Sequence, residues 1–563
     1  MHYFLSLITI ILLTKTAYTQ EYISPVNTNI LLSGTFGELR NNHFHAGIDI
    51  KTNGIEGKKI YAIADGYISR IKVSSKGYGK AIYINHNDGN TSVYAHLQKF
   101  SKKIDTVVKQ HHYKIKKFEI NYYPKKNDIP IQKGELIAFS GNSGSSQGPH
   151  LHFEIRNTKT QKPINPLSLG FHIHDNISPE ITHVKIYSIN NTLINQKKTD
   201  QIFKLKKTKD TYLLKDTPII NGKFGIGIST YDKMNNSNNK NGIYSILIYV
   251  DSILSYKFIA DILDFKTTRY INSHIDYKEK IINKKKYHKC FKLPNNKLTN
   301  YKKLINNGFI HFTDNKLHFI KIVVSDIYGN NSIVNLKIQS ENTKIKPLKK
   351  KEASSITKQF FFNKANIFKT KNIEIHMPKY SLYESLLFKY KKSDSIAGIF
   401  GNIHECHTDH TPVHKKYVLS IKADIPKKLR NKVYIAKIDK KNQFKYLGGI
   451  WKNGFVKSKI REFGEFCIIA DTINPKIIPI NIFNGKNINN QNTIQINIKD
   501  TQSGIKEYIA EIDNQWVLME FDYKKDLLIF NIDKTLTTGE HAFKLTVIDN
   551  VGNSTTYTTN FMY

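Results

Sequence analysis

Short runs of alternating apolar and polar residues, separated by Gly, Asn and Asp, dominate the first third of the chain. Residues 81–84 (AIYI) and 91–94 (TSVY) are examples. Successive side chains of a strand point to opposite faces, so this pattern predicts short half-buried strands, and the turn residues between them predict hairpins. We therefore expect a mainly β domain over residues 25–174.

Beyond residue 166 the chain changes character and an internal repeat begins. Residues 175–181 (DNISPEI) are echoed by 471–477 (DTINPKI), and residues 318–330 (HFIKIVVSDIYGN) by 541–553 (HAFKLTVIDNVGN). A strand, an Asp-x-x-Gly-Asn turn and a return strand make a hairpin typical of immunoglobulin-like sandwiches. We predict two copies of one β-sandwich, over residues 175–340 and 471–563.

The region between the two copies predicts a further β domain. A Lys-rich linker covers residues 341–352, and a hairpin signal (YLGGIW) lies at 446–451. The additional domain should therefore span residues 353–470. The first sandwich copy also carries an insert that includes residues 270–277. These modules resemble spacers or binding units only by analogy.

Length and charge narrow the class of protein. A chain of 563 residues is long enough for three or four domains, and its net charge is +39, from 85 Lys and Arg against 46 Asp and Glu. That charge favours attraction to wall carboxylates or anionic lipid. Because it is spread along the chain, we favour the codon usage of an AT-rich genome as its origin. No motif indicates a nucleic-acid partner.

The N-terminus reads as a secretory signal. Residues 4–13 form an apolar run that is too short to span a bilayer, and residues 17–19 offer a cleavage site before Gln20. No later segment is apolar for long enough to cross a membrane. We predict a signal peptide over residues 1–19 and a periplasmic or secreted protein; an uncleaved N-terminal anchor is the alternative.

A His-x-His pair lies in the stretch GPHLHFEI at residues 148–155. In a strand, His150 and His152 point to one face while Leu151 and Phe153 point into a core. The Ser- and Gly-rich loop at 140–147 lets the backbone approach whatever the two imidazoles hold. A bound metal is the natural candidate, although the pattern also arises by chance, as in His172-Ile-His174.

A second cluster upstream strengthens this interpretation. Residues 42–50 (NHFHAGIDI) contain His45 and Asp49, and residues 94–97 (YAHL) contain His96. Zinc sites use neutral imidazole nitrogens and carboxylate oxygens, and a catalytic site leaves one position for water. His45, Asp49 and His152 would make such a three-ligand set.

These motifs resemble the lysostaphin-type, or LytM-like, zinc metallopeptidases, which cut peptidoglycan cross-bridges. The resemblance covers about residues 31–170 and rests on His45-x-x-x-Asp49, on Tyr-Ala-His96-Leu and on Gly-Pro-His150-Leu-His152-Phe-Glu. It implies an antiparallel β-sheet forming a narrow groove, with Zn²⁺ on the groove floor.

The resemblance assigns His45, Asp49 and His152 to zinc, and His96 and His150 to catalysis. Zinc lowers the pKa of a bound water to about 7, and an imidazole beside it can accept a proton or stabilise an oxyanion. The sequence leaves open which of the two histidines does which.

One stretch departs from the compact members of this family. An insert of about residues 101–132, rich in Lys and Tyr, has a polar helical start at 101–108 and a turn signal (NYYP) at 121–124. It predicts either a flap beside the groove, able to gate or select substrate, or a packed surface elaboration.

The remaining histidines and cysteines give weaker signals. Three widely separated cysteines imply no disulfide framework, and the stretch 404–410 (HECHTDH) lacks the partner motif that a second metal site needs. We interpret the isolated histidines as structural: His43, His86, His111, His112, His172 and His174.

The sequence thus predicts an exported zinc metalloendopeptidase that hydrolyses peptide cross-links in peptidoglycan stems, with β modules that position or restrain it. We favour the D-Ala–diaminopimelate bond of a Gram-negative envelope over glycine bridges. A non-catalytic envelope regulator that binds an amidase or division protein through the same groove is the competing class, and a protease of host or competitor proteins is the third. The cleaved bond, autoinhibition and oligomeric state stay open.

Overall fold

The structure is a computed structural model that describes residues 21–171, 173–342, 356–532 and 536–563. The chain is mainly β, as predicted. The predicted signal peptide, most of the Lys-rich linker and His172 lie outside the described residues. Within the described ranges, no helix is both long and apolar enough to cross a membrane.

The first region is an antiparallel sheet with one helix. Its elements are β1 (Leu32–Gly34), β2 (Ile48–Lys51), β3 (Lys59–Tyr61), β4 (Gly66–Val73), β5 (Lys80–His86), β6 (Asn90–Phe100), α1 (Lys102–Ile115), β7 (Ile120–Tyr122), β8 (Pro130–Ile131), β9 (Leu136–Ser140), β10 (His150–Asn157) and β11 (Pro163–Ile164). The main path of the sheet runs β1-β2-β10-β6-β5-β4-β7. Strand β10 therefore lies between β2, which carries Asp49, and β6, which carries His96.

Alternation along β2 and β10 separates the core from the site. Ile48, Ile50, Leu151 and Phe153 are fully buried in the core of the region. Burying an apolar side chain of this size stabilises the fold by about 1.5–3 kcal/mol. Every second residue of the same strands is therefore forced onto the opposite face, where the candidate ligands lie.

The insert packs onto the sheet. Helix α1 begins where the sequence predicts a helix and continues to Ile115, with Ile104 and Val108 buried in the same core. Residues 121–122 do not form the predicted turn but belong to β7, which pairs with β4 at the sheet edge away from β2. These contacts favour the packed elaboration over a free flap.

The second region is a 14-stranded sheet with two short helices. Its elements are β12 (Glu180–Ser188), β13 (Leu193–Ile194), β14 (Gln201–Thr208), β15 (Thr211–Leu214), β16 (Ile219–Asn221), β17 (Lys223–Met234), β18 (Ser237–Asn241), β19 (Ser245–Val250), β20 (Ile253–Ile259), α2 (Ile271–His274), α3 (Tyr277–Asn283), β21 (His288–Lys289), β22 (Tyr301–Leu304), β23 (Ile310–His311), β24 (Leu317–Ser325) and β25 (Asn331–Ser340). Phe36, Leu39 and Phe44 of the first region are buried in its core. The segment leading to His45 is thus anchored in the second region.

Two further β regions complete the described chain, each with two sheets. The third contains β26 (Ile356–Phe360), β27 (Asn366–Lys369), β28 (Ile373–Met377), β29 (Leu386–Ser393), β30 (Phe400–Cys406), β31 (Tyr417–Lys422), β32 (Val433–Ile438), β33 (Phe444–Tyr446), β34 (Ile450–Lys452), β35 (Phe455–Ile460) and β36 (Gly464–Ala470). The fourth contains β37 (Lys476–Pro479), β38 (Lys486–Asn487), β39 (Thr493–Lys499), β40 (Ile505–Ile512), β41 (Gln515–Trp516), β42 (Met519–Asp522), β43 (Leu527–Asn531), β44 (Glu540–Asp549) and β45 (Ser554–Met562). The domain boundaries given above stay a prediction. Cys290, Cys406 and Cys467 are buried free thiols.

Candidate metal centre

Three candidate ligands converge on one face of the sheet. His152 lies directly opposite Asp49 in the β2–β10 ladder, and His45 precedes β2. Asp49 Oδ1 is 3.0 Å from His45 Nε2 and 2.9 Å from His152 Nδ1, and the two ring nitrogens are 3.0 Å apart. All three residues are buried. These donor atoms can share one small cation.

The atoms of His45 and Asp49 that face away from this point are held by the protein. His45 Nδ1 donates to the carbonyl oxygen of Thr35 (2.8 Å), which leaves the Nε2 lone pair directed at the cluster. Asp49 Oδ2 accepts a hydrogen bond from Arg40 (2.8 Å), and Arg40 also pairs with Glu38 (2.8 Å). Such outer contacts fix the tautomer and the orientation of metal ligands.

His152 is oriented by a buried acid. Its Nε2 donates to Glu154 Oε1 (2.8 Å), and Glu154 is also bound by Arg156 (2.6 Å) and by the hydroxyl of Tyr78 (2.5 Å). Burial alone would raise the pKa of Glu154, but Arg156 and the bond from His152 outweigh burial and hold that pKa at about 2. Glu154 is therefore a carboxylate, and it sets which nitrogen of His152 faces Asp49.

The donor set fits zinc. Burial alone would lower the pKa of His152, but its hydrogen bonds to Asp49 and Glu154 outweigh burial and raise the pKa to about 9. Both ring nitrogens face carboxylates, so positive charge is favoured between His152 Nδ1 and Asp49. A proton or a metal ion can supply this positive charge. Two imidazole nitrogens and one carboxylate oxygen are a ligand set that catalytic zinc sites use, with the fourth position left for water.

His96 and His150 flank the cluster. The His96 and His150 rings are 5.0 Å apart, the His96 and His152 rings are 5.7 Å apart, and His150 Nε2 is 3.4 Å from Asp49 Oδ1. His96 Nδ1 donates to the carbonyl of Ser143 (2.9 Å), and His150 Nδ1 donates to that of Gly148 (2.8 Å). In the tautomer that makes these bonds, the lone pair of each ring lies on Nε2.

The backbone at His96 departs from a regular strand. Its φ is 59°, and the β5–β6 ladder shifts register there. A bulge of this kind re-aims a side chain, and unusual backbone conformations are concentrated at functional sites. Burial, followed by the nearby His152 and His150, lowers the pKa of His96 to about 3, so this imidazole is neutral at neutral pH.

The loop at 140–148 supports His96 from outside the sheet. Gly144 has a φ of +66°, and a Cβ atom there would lie 2.3 Å from the backbone nitrogen of Gly79. Ser143 Oγ also accepts from the Lys80 amide (3.0 Å) and donates to the carbonyl of Leu97 (2.7 Å). Only glycine allows this close approach, which fixes the Ser143 carbonyl.

The structure thus brings together all five predicted site residues, and it adds supporting residues that the sequence reasoning missed. Glu154 and Arg156 share the alternation of His150 and His152, so the strand pattern could have indicated them. Arg40 and Tyr78 carry no such signal, because only the tertiary fold brings them to the site. The stretch 404–410 forms no three-residue metal group within the described ranges.

Comparisons with known proteins cover part of the chain. A family model described as peptidase family M23 matches residues 43–113 and 118–166, and a Zu5-like domain model matches residues 357–471. The DD-carboxypeptidase/endopeptidase Mpg of Neisseria meningitidis serogroup B is 33% identical over 138 residues, which are 24% of this chain and 24% of that protein. The murein hydrolase activator NlpD of Escherichia coli is 35% identical over 121 residues, 22% of this chain and 24% of that protein.

The chain therefore spans about a quarter of the length of the curated relatives that it matches. Among solved structures, the catalytic domain of lysostaphin from Staphylococcus simulans is 24% identical. The match covers 25% of this chain and 90% of that one, with a TM-score of 0.18. The M23 protein EnpA from Enterococcus faecalis is also 24% identical, over 24% of this chain and 88% of that one, with a TM-score of 0.18.

Proposed function

Because residues 43–166 form a LytM-like domain of peptidase family M23, we propose that this protein is an exported zinc metalloendopeptidase that hydrolyses peptide cross-links of peptidoglycan. The convergence of His45, Asp49 and His152 beside His96 and His150 is the observation that carries the proposal. All three zinc ligands that the resemblance implies are present in this sequence.

His45, Asp49 and His152 would hold the zinc ion. When bound there, Zn²⁺ would supply Lewis acidity that acidifies water and polarises a peptide carbonyl. His96 and His150 each present an Nε2 lone pair, because Nδ1 of each ring donates to a backbone carbonyl. One can accept the proton of the attacking water, and the other, once protonated, can donate to the oxyanion of the tetrahedral intermediate.

Both curated relatives carry names that favour peptidoglycan as the substrate class. One is named a DD-carboxypeptidase/endopeptidase and the other a murein hydrolase activator. The first name favours a bond next to a D-amino acid, so we assign the D-Ala–diaminopimelate cross-link as the target. Such a substrate requires export, which the predicted signal peptide would provide.

A regulator is the second candidate, and the similarity to NlpD favours it. In that case the groove would bind an amidase or another envelope partner and no bond would be cut by this chain. The complete donor set favours the peptidase, because a protein that only binds has no need for buried His45, Asp49 and His152 around one point.

Digestion of purified diaminopimelate-type peptidoglycan tests the proposal. The chain lacking residues 1–19 should convert cross-linked muropeptide dimers to monomers, read by mass spectrometry, whereas chelator-treated protein should not. The mass of the new ends identifies the cleaved bond. If zinc-loaded protein leaves the dimers intact but stimulates an added amidase, the peptidase function is wrong and the regulator function takes its place.

A further inference from the structure

Three carboxylates meet in the second region, outside the candidate zinc site. Asp175, Asp232 and Asp326 each place an oxygen within 4.8 Å of the others. The fourth region has an equivalent group, Asp471, Asp500 and Asp549, at the matching positions of the sequence repeat. The two groups differ in what their oxygens contact, and this difference indicates a ligand for the first.

The first cluster lacks a compensating charge. Asp232 and Asp326 are each only 3% exposed, and no Lys or Arg of the described ranges forms an ion pair with them. Buried carboxylates are normally paired, hydrogen-bonded or bound to a metal. Asp326 satisfies its oxygens with the amides of Tyr328 and Asn330 and the side chain of Asn330.

Asp175 Oδ1 accepts from the Ile177 amide (3.1 Å), but two other oxygens of the first cluster have no partner. Asp175 Oδ2 and Asp232 Oδ1 are buried and have no hydrogen-bond partner. Asn241 lies opposite Asp232 in the β17–β18 ladder, so both side chains are on one face of the sheet. Asn241 is 2% exposed, and neither Oδ1 nor Nδ2 has a partner. Buried polar atoms without partners are rare, and a bound water or ion is one way in which they gain a partner.

The space beside the free oxygens of Asp175 and Asp232 suits one small occupant. A cavity of about 20 Å³ is lined by the three aspartates together with Thr35, Gly242 and Tyr328. Roughly 10–15 Å³ of such volume is needed to hold one water-sized particle. The cavity therefore has room for a single ion or water.

The equivalent cluster in the fourth region is already satisfied by backbone donors. Asp471 Oδ2 accepts from the Ser503 amide (3.1 Å), and Asp500 Oδ1 accepts from the amides of Gln502 (3.1 Å) and Gly504 (2.5 Å). The tight turn from Asp500 to Gly504 supplies these donors. In the first cluster the hairpin of β17 and β18 separates Asp232 from Gly242, and no amide of the described residues reaches Asp232 Oδ1.

The geometry points to a divalent cation of the Ca²⁺ class bound by Asp175, Asp232 and Asp326. The cluster offers only oxygen donors, which Ca²⁺ prefers, and it has no imidazole or thiolate that would favour zinc. This site is independent of the proposed peptidase activity.

The cation would link the second region to the candidate active site. Thr35 Oγ1 accepts from the Gly242 amide (2.9 Å), next to Asn241, and the Thr35 carbonyl accepts from His45 Nδ1 (2.8 Å). Asn165 and Leu167 of the first region also line the cavity. A bound ion would therefore stabilise the junction that holds the segment 35–45 in place.

Calcium titration of the full chain tests the site. The protein is freed of Ca²⁺, given one equivalent of Zn²⁺ and titrated with CaCl₂ by calorimetry. Tb³⁺ luminescence, sensitised by Tyr244 and Tyr328 in the cavity wall, gives a second readout. We expect one Ca²⁺ per chain. Asp232→Asn should weaken Ca²⁺ binding at least about tenfold through loss of a charged ligand, whereas the matched Asp500→Asn should not change it.

Circular dichroism checks that each variant folds, and Asp175→Asn, which changes another proposed ligand, replaces Asp232→Asn if the latter does not fold. If the wild type shows neither a heat of binding on addition of Ca²⁺ nor Tb³⁺ emission, the cluster holds a proton or water instead. Loss of binding in Asp500→Asn with retention in Asp232→Asn, or equal affinity for Mg²⁺, would also overturn the assignment.

Discussion

At the scale of single residues, the candidate site depends on hydrogen bonds that choose one nitrogen of each histidine. Thr35 fixes His45, and Glu154 fixes His152. Glu154 is itself fully buried and held by Arg156 and Tyr78. A carboxylate behind a metal-bound histidine raises the basicity of that ligand and restricts its rotation.

Glu154→Gln should therefore weaken zinc binding. The amide keeps the size of the side chain but removes the charge that faces Arg156 and the His152 ring. We expect a loss of zinc affinity of about 10–100-fold, measured by competition with a chromogenic chelator. Glu135→Gln, which removes a surface ion pair with Lys103, is the matched control and should bind zinc like the wild type. Equal affinity in both variants would contradict the role of Glu154.

At the scale of elements, strand alternation explains the metal ligands, and a loop explains His96. His150, His152 and Glu154 share one face of β10, whereas His96 reaches the site through a bulge and a contact with Ser143. The loop that carries Ser143 requires glycine at position 144.

Gly144→Ala should reduce hydrolysis while zinc stays bound. The new Cβ would clash with Gly79 in a left-handed conformation, at a cost of about 1–3 kcal/mol, and displace the carbonyl that orients His96. Peptidoglycan turnover and zinc content of the same sample separate the two effects. Gly89→Ala has the same left-handed conformation but meets no atom within 4 Å, and it is the control. Normal turnover in Gly144→Ala would show that the loop does not position His96.

The repeated hairpins share a histidine that should make stability depend on pH. His318 Nδ1 donates to Asp251 (2.6 Å), and His541 Nδ1 donates to Asp513 (2.6 Å). Burial alone would lower the pKa of His318, but Asp314 and Asp251 outweigh burial and raise it above 6.5. The charged pair therefore stabilises the fold fully below pH 6.5, and this contribution disappears as the pH rises through the raised pKa.

His318→Gln should consequently destabilise the protein more at pH 6 than at pH 8. The partner carboxylates are partly exposed, so the difference should stay below about 1 kcal/mol. Thermal unfolding at the two pH values measures it, with His311→Gln, which has no ion pair in the described chain, as control. A larger loss at pH 8 would contradict the sign.

The sequence predicted the strands and five site residues because alternation and motif spacing are local properties. It could not predict Tyr78 or the cluster of Asp175, Asp232 and Asp326, because their partners lie far away in the chain, and it missed Arg40 because no motif marks its contacts with Glu38 and Asp49. It also placed a turn at 121–124 where residues 121–122 form β7, since pairing with β4 overrides the local turn signal. Helix α1 continues past residue 108, and His112, one turn after Val108, is also buried.

At the scale of the whole molecule, the β regions contact the candidate peptidase on two sides. Phe36, Leu39 and Phe44 are buried in the second region. In the fourth region, Lys524 donates to the carbonyls of Asn142 and Ser146 in the loop that supports His96, and Glu520 pairs with Lys80 (2.8 Å). The fourth region therefore borders the candidate active site.

Residues 20–174 alone should be less stable than residues 20–342. The shorter fragment exposes Phe36, Leu39 and Phe44, and leaving a Phe or Leu side chain exposed costs about 1.5–3 kcal/mol. Thermal unfolding and light scattering of the two fragments measure stability and aggregation. A monomeric 20–174 fragment that unfolds at the same temperature as 20–342 would show that the regions fold independently.

The most direct test of the central claim is to measure zinc content and muropeptide release together in the wild type, His96→Ala and His152→Ala. Our expectation is one zinc per chain and loss of cross-linked dimers in the wild type, retained zinc without cleavage in His96→Ala, and neither in His152→Ala. A wild type that binds zinc but leaves dimers intact, or a His96→Ala variant that cleaves like the wild type, would contradict it.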